Sequence, residues 1–133
     1  MSRAGTPFGG LDEIAKRIYI DGADFDLVLY TNTPNSLGDS TVTADLVQPT
    51  GPGYAPITLN GVWSRLNGLV TYDHGTPDNP MWTAGGAWSA PVTGAAMISG
   101  ATVVHFKDYN DAGGNWVAAN GKKLAVDITN LVG

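Results

Sequence analysis

Two aspartate-rich loops and two histidines are the residues whose spacing most invites a chemical reading. "DGADFD" (21–26) and "DYNDAGG" (108–114) look like calcium loops. Such a loop needs oxygen ligands at positions one, three and five, glycine at six and a carboxylate at twelve. Counting from Asp108, Asn110 and Gly113 fit, but Ala112 occupies position five and Ala119 position twelve. In the first loop the glycine comes too early. Both read as aspartates in turns, and no metal is expected. His74 lies in a loop beside Asp73 and His105 in an apolar run, with no H-x-x-x-H or H-E-x-x-H spacing. There is no G-x-S-x-G elbow, no P-loop and no G-x-G-x-x-G after a strand. Glu13 is the single glutamate, so a paired-carboxylate hydrolase would have to rest on turn aspartates. The expectation is a non-enzymatic protein without a cofactor.

A different chemistry is open to the aromatic residues. Trp63, Trp82, Trp88 and Trp116, with Tyr54, Tyr72 and Tyr109, could stack on the apolar face of a sugar. They are spread over several strands and loops, so core packing accounts for most of them. The stretch "NPMWTAGGAWSAPVTGAAMISG" (79–100) is the densest case: two tryptophans, two methionines, four glycines and no charge. Pro80, Gly85, Gly86, Pro91 and Gly94 break it, and no run reaches the ~18 apolar residues of a membrane span. Its alanines and glycines leave room for another backbone, so one face is expected to press against a partner. Trp82, Trp88 and Met97 are its candidate contact residues.

The positioning elements follow from periodicity. In "GGLDEIAKRIYIDG" (9–22), Leu11, Ile14, Ala15 and Ile18 recur at helical spacing. Acidic residues open the segment, basic ones close it, and Asp21-Gly22 stops it. From residue 24 the period becomes two: Phe25, Leu27 and Leu29 point one way, Asp24, Asp26 and Val28 the other. "STVTADLV" (40–47) and "YAPITL" (54–59) read as further strands. Asn67-Gly68, Ser99-Gly100 and Asn120-Gly121 are hairpin signals. These elements predict a mainly β protein: an antiparallel β-sandwich, jelly-roll or immunoglobulin-like, with one short N-terminal helix. Residues 1–22 form an arm and helix, residues 23–133 the sandwich domain.

Composition agrees. The acidic side is eleven aspartates to one glutamate, a turn-rich balance. Charged residues are only 14 per cent of the 133, well below the ~25 per cent of an ordinary globular chain. That suits a surface occupied by neighbours. Net charge is −5 and the longest basic run is Lys122-Lys123, so nucleic acid is not an expected partner. The absence of cysteine excludes disulfides and thiolate chemistry. The opening "MSRAGTPFGG" lacks the apolar core of a signal peptide.

The order of "LVLYTNTPN" (27–35), "TVTADLVQPTGPGYAPITLNGVW" (41–63) and a late Asn-Gly step before "LAVDITNLV" resembles a group of small virion proteins of tailed bacteriophages. Leu27, Leu29, Tyr30, Thr31 and Asn32, then Gly53, Tyr54 and Ala55, then Trp63, then Asn120 and Gly121 carry the likeness. The resemblance implies a β-sandwich structural protein of the virion. Its expected role is capsid decoration or cement, held by other virion proteins and by copies of itself as a trimer or larger ring. A neck, tail or fibre-attachment subunit, and a carbohydrate-binding module of a host-recognition device, stand as alternatives. The expected contacts are Phe8, Leu11, Ile14 and Ile18 on the arm and helix, with Trp82, Trp88 and Met97.

Overall fold

Apolar residues alternating from Phe25 onward begin the described fold. The computed structural model describes residues 24–67, 69–77, 79–109 and 115–132. The helix expected within 9–22, with Phe8, Leu11, Ile14 and Ile18, lies outside them. Eight strands follow: β1 (Asp26–Tyr30), β2 (Ile57–Thr58), β3 (Val62–Leu66), β4 (Leu69–Asp73), β5 (Met81–Thr83), β6 (Gly94–Ser99), β7 (Thr102–Asp108) and β8 (Lys123–Ala125). Helix α1 (Ile128–Val132) is the one α-helix among the described residues, and Thr43–Asp45 is a 3₁₀ turn. The chain is mainly β. Its sheets are antiparallel throughout the described residues: one four-stranded sheet in the order β2-β1-β6-β7, and two ladders, β3-β4 and β5-β8.

Strand β1 departs from the expected half-buried pattern. Val28, expected on the outward face, is as inaccessible as Leu27 and Leu29. The sheet is covered on both sides. Leu27, Leu29, Ala95 and Met97 face the larger core, which also holds Trp82, Trp88, Val92, Val126 and Ile128. Val28, Tyr30, Ala96 and Ile98 face a second cluster closed by Leu37 and Leu46. Both of those come from residues 31–49, a strap across that face. Central strands buried on both faces read as unbroken apolar runs. This accounts for the uncharged end of the 79–100 stretch, because β6 is an inner strand of the sheet.

The strap also replaces the strand expected at 40–47. Only Val42 makes a bridge there, to Thr102. The Asp45 carboxylate accepts the Val42 N–H at 2.9 Å, while the Asn32 side chain donates to Asp45 O and accepts from Val47 N, both at 2.8 Å. Short polar side chains that bond nearby backbone compete with a ladder, and here they win.

Turn chemistry decides which hairpins form. Leu66 pairs with Leu69 across Asn67, whose φ is 52°, as the Asn-Gly signal requires. β6 and β7 join through Gly100-Ala101, one residue later than expected, with Gly100 at φ 57° and Ser99 opposite Thr102. Asn120-Gly121 forms a turn closed by Lys122 N–H to Ala119 O at 2.9 Å, with Gly121 at φ 81°. Asn120 does not share that left-handed conformation, so the turn is not of the type that keeps two strands together. The expected hairpin is not formed. Trp116 instead bridges to Val92, and β8 pairs with β5.

Candidate functional site

The tryptophans offered as contacts or as a sugar platform are turned toward one another. Trp82 is 3 % exposed and Trp88 8 %, and Met97 is wholly buried. Trp82 stacks on Tyr54 at 6.1 Å and 16° between planes, and Trp88 meets Tyr54 edge-on at 5.3 Å. Trp116 tilts against Trp88 at 5.2 Å, with Lys122 Nζ 5.2 Å from the Trp116 ring centre. A second group runs Phe25, Trp63, Tyr72 and His74. Trp82 and Trp88 are thus part of the core, while Trp63 and Trp116 are only partly buried against it.

The contact residues expected in 79–100, Trp82, Trp88 and Met97, lie inside the chain instead. The chain's own loop 50–55 covers Trp82 and Trp88. Trp82 Nε1 donates to Ala55 O at 2.7 Å and Trp88 Nε1 to Pro52 O at 2.8 Å. Gly85 N–H also donates to Pro52 O, and Ser89 N–H to Thr50 O. Gly53 makes this approach possible: its φ is 86°, and a Cβ there would strike the Thr83 carbonyl. Indole N–H groups need partners when buried, and the loop's carbonyls supply them.

The second polar assembly anchors the strap. Tyr30 Oη donates to Asp108 Oδ1 at 2.6 Å, reaching across Gly94 from β1 to β7, and Asn35 N–H donates to Asp108 Oδ2 at 3.0 Å. Thr93 is the one fully buried polar residue among those described, and its hydroxyl lies 2.6 Å from Asn32 O. An open cavity of about 450 Å³ sits in the strap between Asn32, Leu37, Thr41 and Asp45. Its polar side chains hold the strap's own turns: Thr41 Oγ1 accepts Gly38 N–H at 2.8 Å, and Ser36 Oγ bonds Thr33 O. The lining offers one carboxylate, Asp45, and the hydroxyls of Ser36, Ser40 and Thr41.

The remaining candidates can be placed in turn. Asp108 of the second calcium-like loop is engaged with Tyr30 and Asn35, and residues 110–114 lie outside the described set. Among the described residues no three His, Cys, Asp or Glu side chains gather as a metal-binding group. Tyr72 Oη accepts Gly61 N–H at 3.0 Å and is hydrogen-bonded to His74 Nδ1 at 2.6 Å. Burial lowers the His105 pKa from its ordinary value. No helix among the described residues is long and apolar enough to cross a membrane.

Burial also raises four phenols. Tyr54 and Tyr109 are each pushed up to about 12; Tyr72 is raised; Tyr30 is raised furthest, by burial and then by its bond to Asp108. An unfolded tyrosine ionises near pH 10. Above that pH the unfolded chain releases protons that the folded chain keeps, so stability falls. The stabilisation is complete below about pH 10 and is lost as pH climbs through about 12. Phenolate absorbance and tryptophan fluorescence, followed together, should change in one steep transition between those limits. Tyrosines ionising near pH 10 with fluorescence unchanged would contradict the burial of these rings.

The fold and site define a mainly β, antiparallel protein whose described polar groups chiefly hold loops onto sheets. No family model, curated protein or solved structure matches the chain.

Proposed function

We propose that this chain is a non-enzymatic structural protein of a tailed-phage virion, a capsid decoration or cement protein of β-sandwich type. It acts by protein–protein contact, with other virion subunits and with copies of itself. One observation carries the reading: apolar side chains that the fold leaves outside. Val62 is 67 % exposed, Val47 58 %, and Leu69 and Val117 55 % each, in a chain with 14 per cent charged residues. Scattered exposed apolar residues are ordinary, but a weakly charged surface around them favours association. The order of sequence motifs shared with small phage virion proteins supports the particle assignment. With Trp82, Trp88 and Met97 in the core, the proposed contacts are these exposed side chains, together with Phe8, Leu11, Ile14 and Ile18 of the N-terminal segment.

The test is stoichiometry. Native mass spectrometry of the purified chain should give a closed homo-oligomer, a trimer or larger ring. Purified particles should hold the chain in many copies, and deleting residues 1–10 should lower that number without shifting the melting of the isolated chain. A strict monomer absent from particles would overturn the proposal. A handful of copies per particle would move the protein to the neck or tail.

A further inference from the structure

The strap carries an open cavity of about 450 Å³, within the size range of small-molecule sites. Its walls are Asn32, where the chain leaves β1, Asp45 in the 3₁₀ turn, and Ser36, Leu37, Ser40 and Thr41 between them. The walls are set in place by the fold. The Asn32 side chain ties the two limbs of the strap through Asp45 O and Val47 N–H. Ser36 N–H to Thr33 O and Thr41 N–H to Gly38 O, both at 3.1 Å, close the turns at its tip. Asn35 N–H on Asp108 and Thr43 N–H on Ala101 O pin the limbs to the sheet. A site assembled in advance loses little freedom when a ligand enters.

Holding the strap together uses only part of what these side chains can bond. Thr41 Oγ1 accepts Gly38 N–H, and its own proton has no acceptor among the described residues. Ser36 Oγ donates to Thr33 O and keeps its lone pairs. Asn32 Nδ2 carries two protons and gives one to Asp45 O. Asp45 Oδ2 accepts Val42 N–H at 2.9 Å, while Oδ1 accepts nothing from the described residues. Ser40 makes no hydrogen bond with the described residues. Donors and acceptors therefore stand side by side, with Leu37 as an apolar wall. A hydroxyl both donates and accepts, so a ligand with several adjacent hydroxyls matches both kinds. An anion would face Asp45 with no lysine, arginine or histidine on the described walls. An ammonium group would leave the donors unmatched.

We propose that the strap cavity binds a neutral polyhydroxylated ligand, a monosaccharide unit or a similar polyol. Asp45 Oδ1 accepts from its hydroxyls, Ser40 and Thr41 donate to them, and Leu37 meets its C–H face. The site is separate from the tryptophans and does not rest on the virion assignment. No aromatic ring stands on its described walls, so binding is weak, with a Kd of about 1–10 mM.

The experiment follows the backbone amides of the full chain by NMR during titration with D-glucose, D-galactose, D-mannose and glycerol, each in turn. At least one should give saturable shifts centred on residues 32–45, and sodium phosphate and ethylamine should give none there. Asp45→Asn still offers an oxygen to Val42 N–H but turns the ligand-facing oxygen into a donor. It should weaken binding about tenfold or more. Ser40→Ala removes a hydroxyl that the strap does not use, so it should weaken binding about threefold or more with the denaturant midpoint unchanged. If Asp45→Asn does not fold, Ser40→Ala decides alone. No saturable shift with any of the four polyols, shifts centred outside the strap, tighter binding of phosphate or ethylamine, or undiminished binding in either folded variant would overturn the proposal.

Discussion

Trp82→Ala should destabilise the isolated chain by about 3–5 kcal/mol, the cost of emptying a buried aromatic site. Trp82 is 3 % exposed, stacked on Tyr54 and opposite Leu124 across the β5-β8 ladder. Its loss also takes the Nε1 donor from Ala55 O, so loop 50–55 loses one of its two indole anchors. Domains hold only about 5–15 kcal/mol in all, so a fifth or more of the stability goes with this one side chain. Denaturant unfolding followed by circular dichroism measures it. The alternative assignment, a contact side chain for a partner, demands a variant that unfolds at the parent's denaturant concentration and fails only in association. Should Trp82→Ala not fold, Trp82→Phe keeps most of the ring and loses the hydrogen bond, for about 1–2 kcal/mol. The same reasoning gives Met97→Ala a cost of about 2–5 kcal/mol, since Met97 has no exposed surface.

The contrast shows what the sequence could and could not disclose. The absence of charge from 79–100 announces burial, but composition does not say whether the covering surface belongs to the same chain. What covers Trp82 and Trp88 is backbone: the carbonyls of Pro52 and Ala55. Every residue has a carbonyl, so an acceptor of this kind has no sequence signature. The glycines of "TGPGYA" were its one trace, marking where a backbone had to come close. Val28 was misplaced for a related reason. Alternation in "DFDLVLYT" gives one apolar face reliably, yet two aspartates at the strand's start masked the burial of its second half on both faces. The β3-β4 hairpin was legible because one asparagine in the left-handed region satisfies its turn. The Asn120-Gly121 step was not, because the same dipeptide also fits a turn with only glycine left-handed, and tertiary pairing with β5 selected that one. Tyr30 and Asp108, 78 positions apart in sequence, carry no local signal at all.

Gly94→Ala is expected to cost about 1–3 kcal/mol or more, against the usual direction of such a change. Replacing glycine by alanine ordinarily stabilises by roughly 0.4–1 kcal/mol when the native backbone suits it, because the unfolded chain loses freedom. Gly94 has no left-handed φ to forbid a side chain, so strain is not the obstacle. Space is. An added Cβ would meet the Tyr30 ring, from Cζ to Oη, and the Lys107 carbonyl. The ring lies over Gly94 because Tyr30, Gly94 and Asp108 occupy one row across β1, β6 and β7, and the phenol must cross the middle strand to reach the carboxylate. A methyl on Gly94 lifts that ring, so the overpacking penalty should exceed the entropic gain. Denaturant midpoints of a small variant set separate the causes. Tyr30→Phe removes the hydroxyl, the atom nearest the added Cβ, so with Gly94→Ala the two costs should fall somewhat short of their sum. Tyr30→Ala removes the ring, so its combination with Gly94→Ala should cost less than the sum, by an interaction energy of about 0.5–3 kcal/mol. Additivity in both pairs would place the collision at the Lys107 carbonyl alone and leave the ring out of it. A Gly94→Ala variant more stable than the parent would mean that the Tyr30 phenol does not cross the sheet to Asp108.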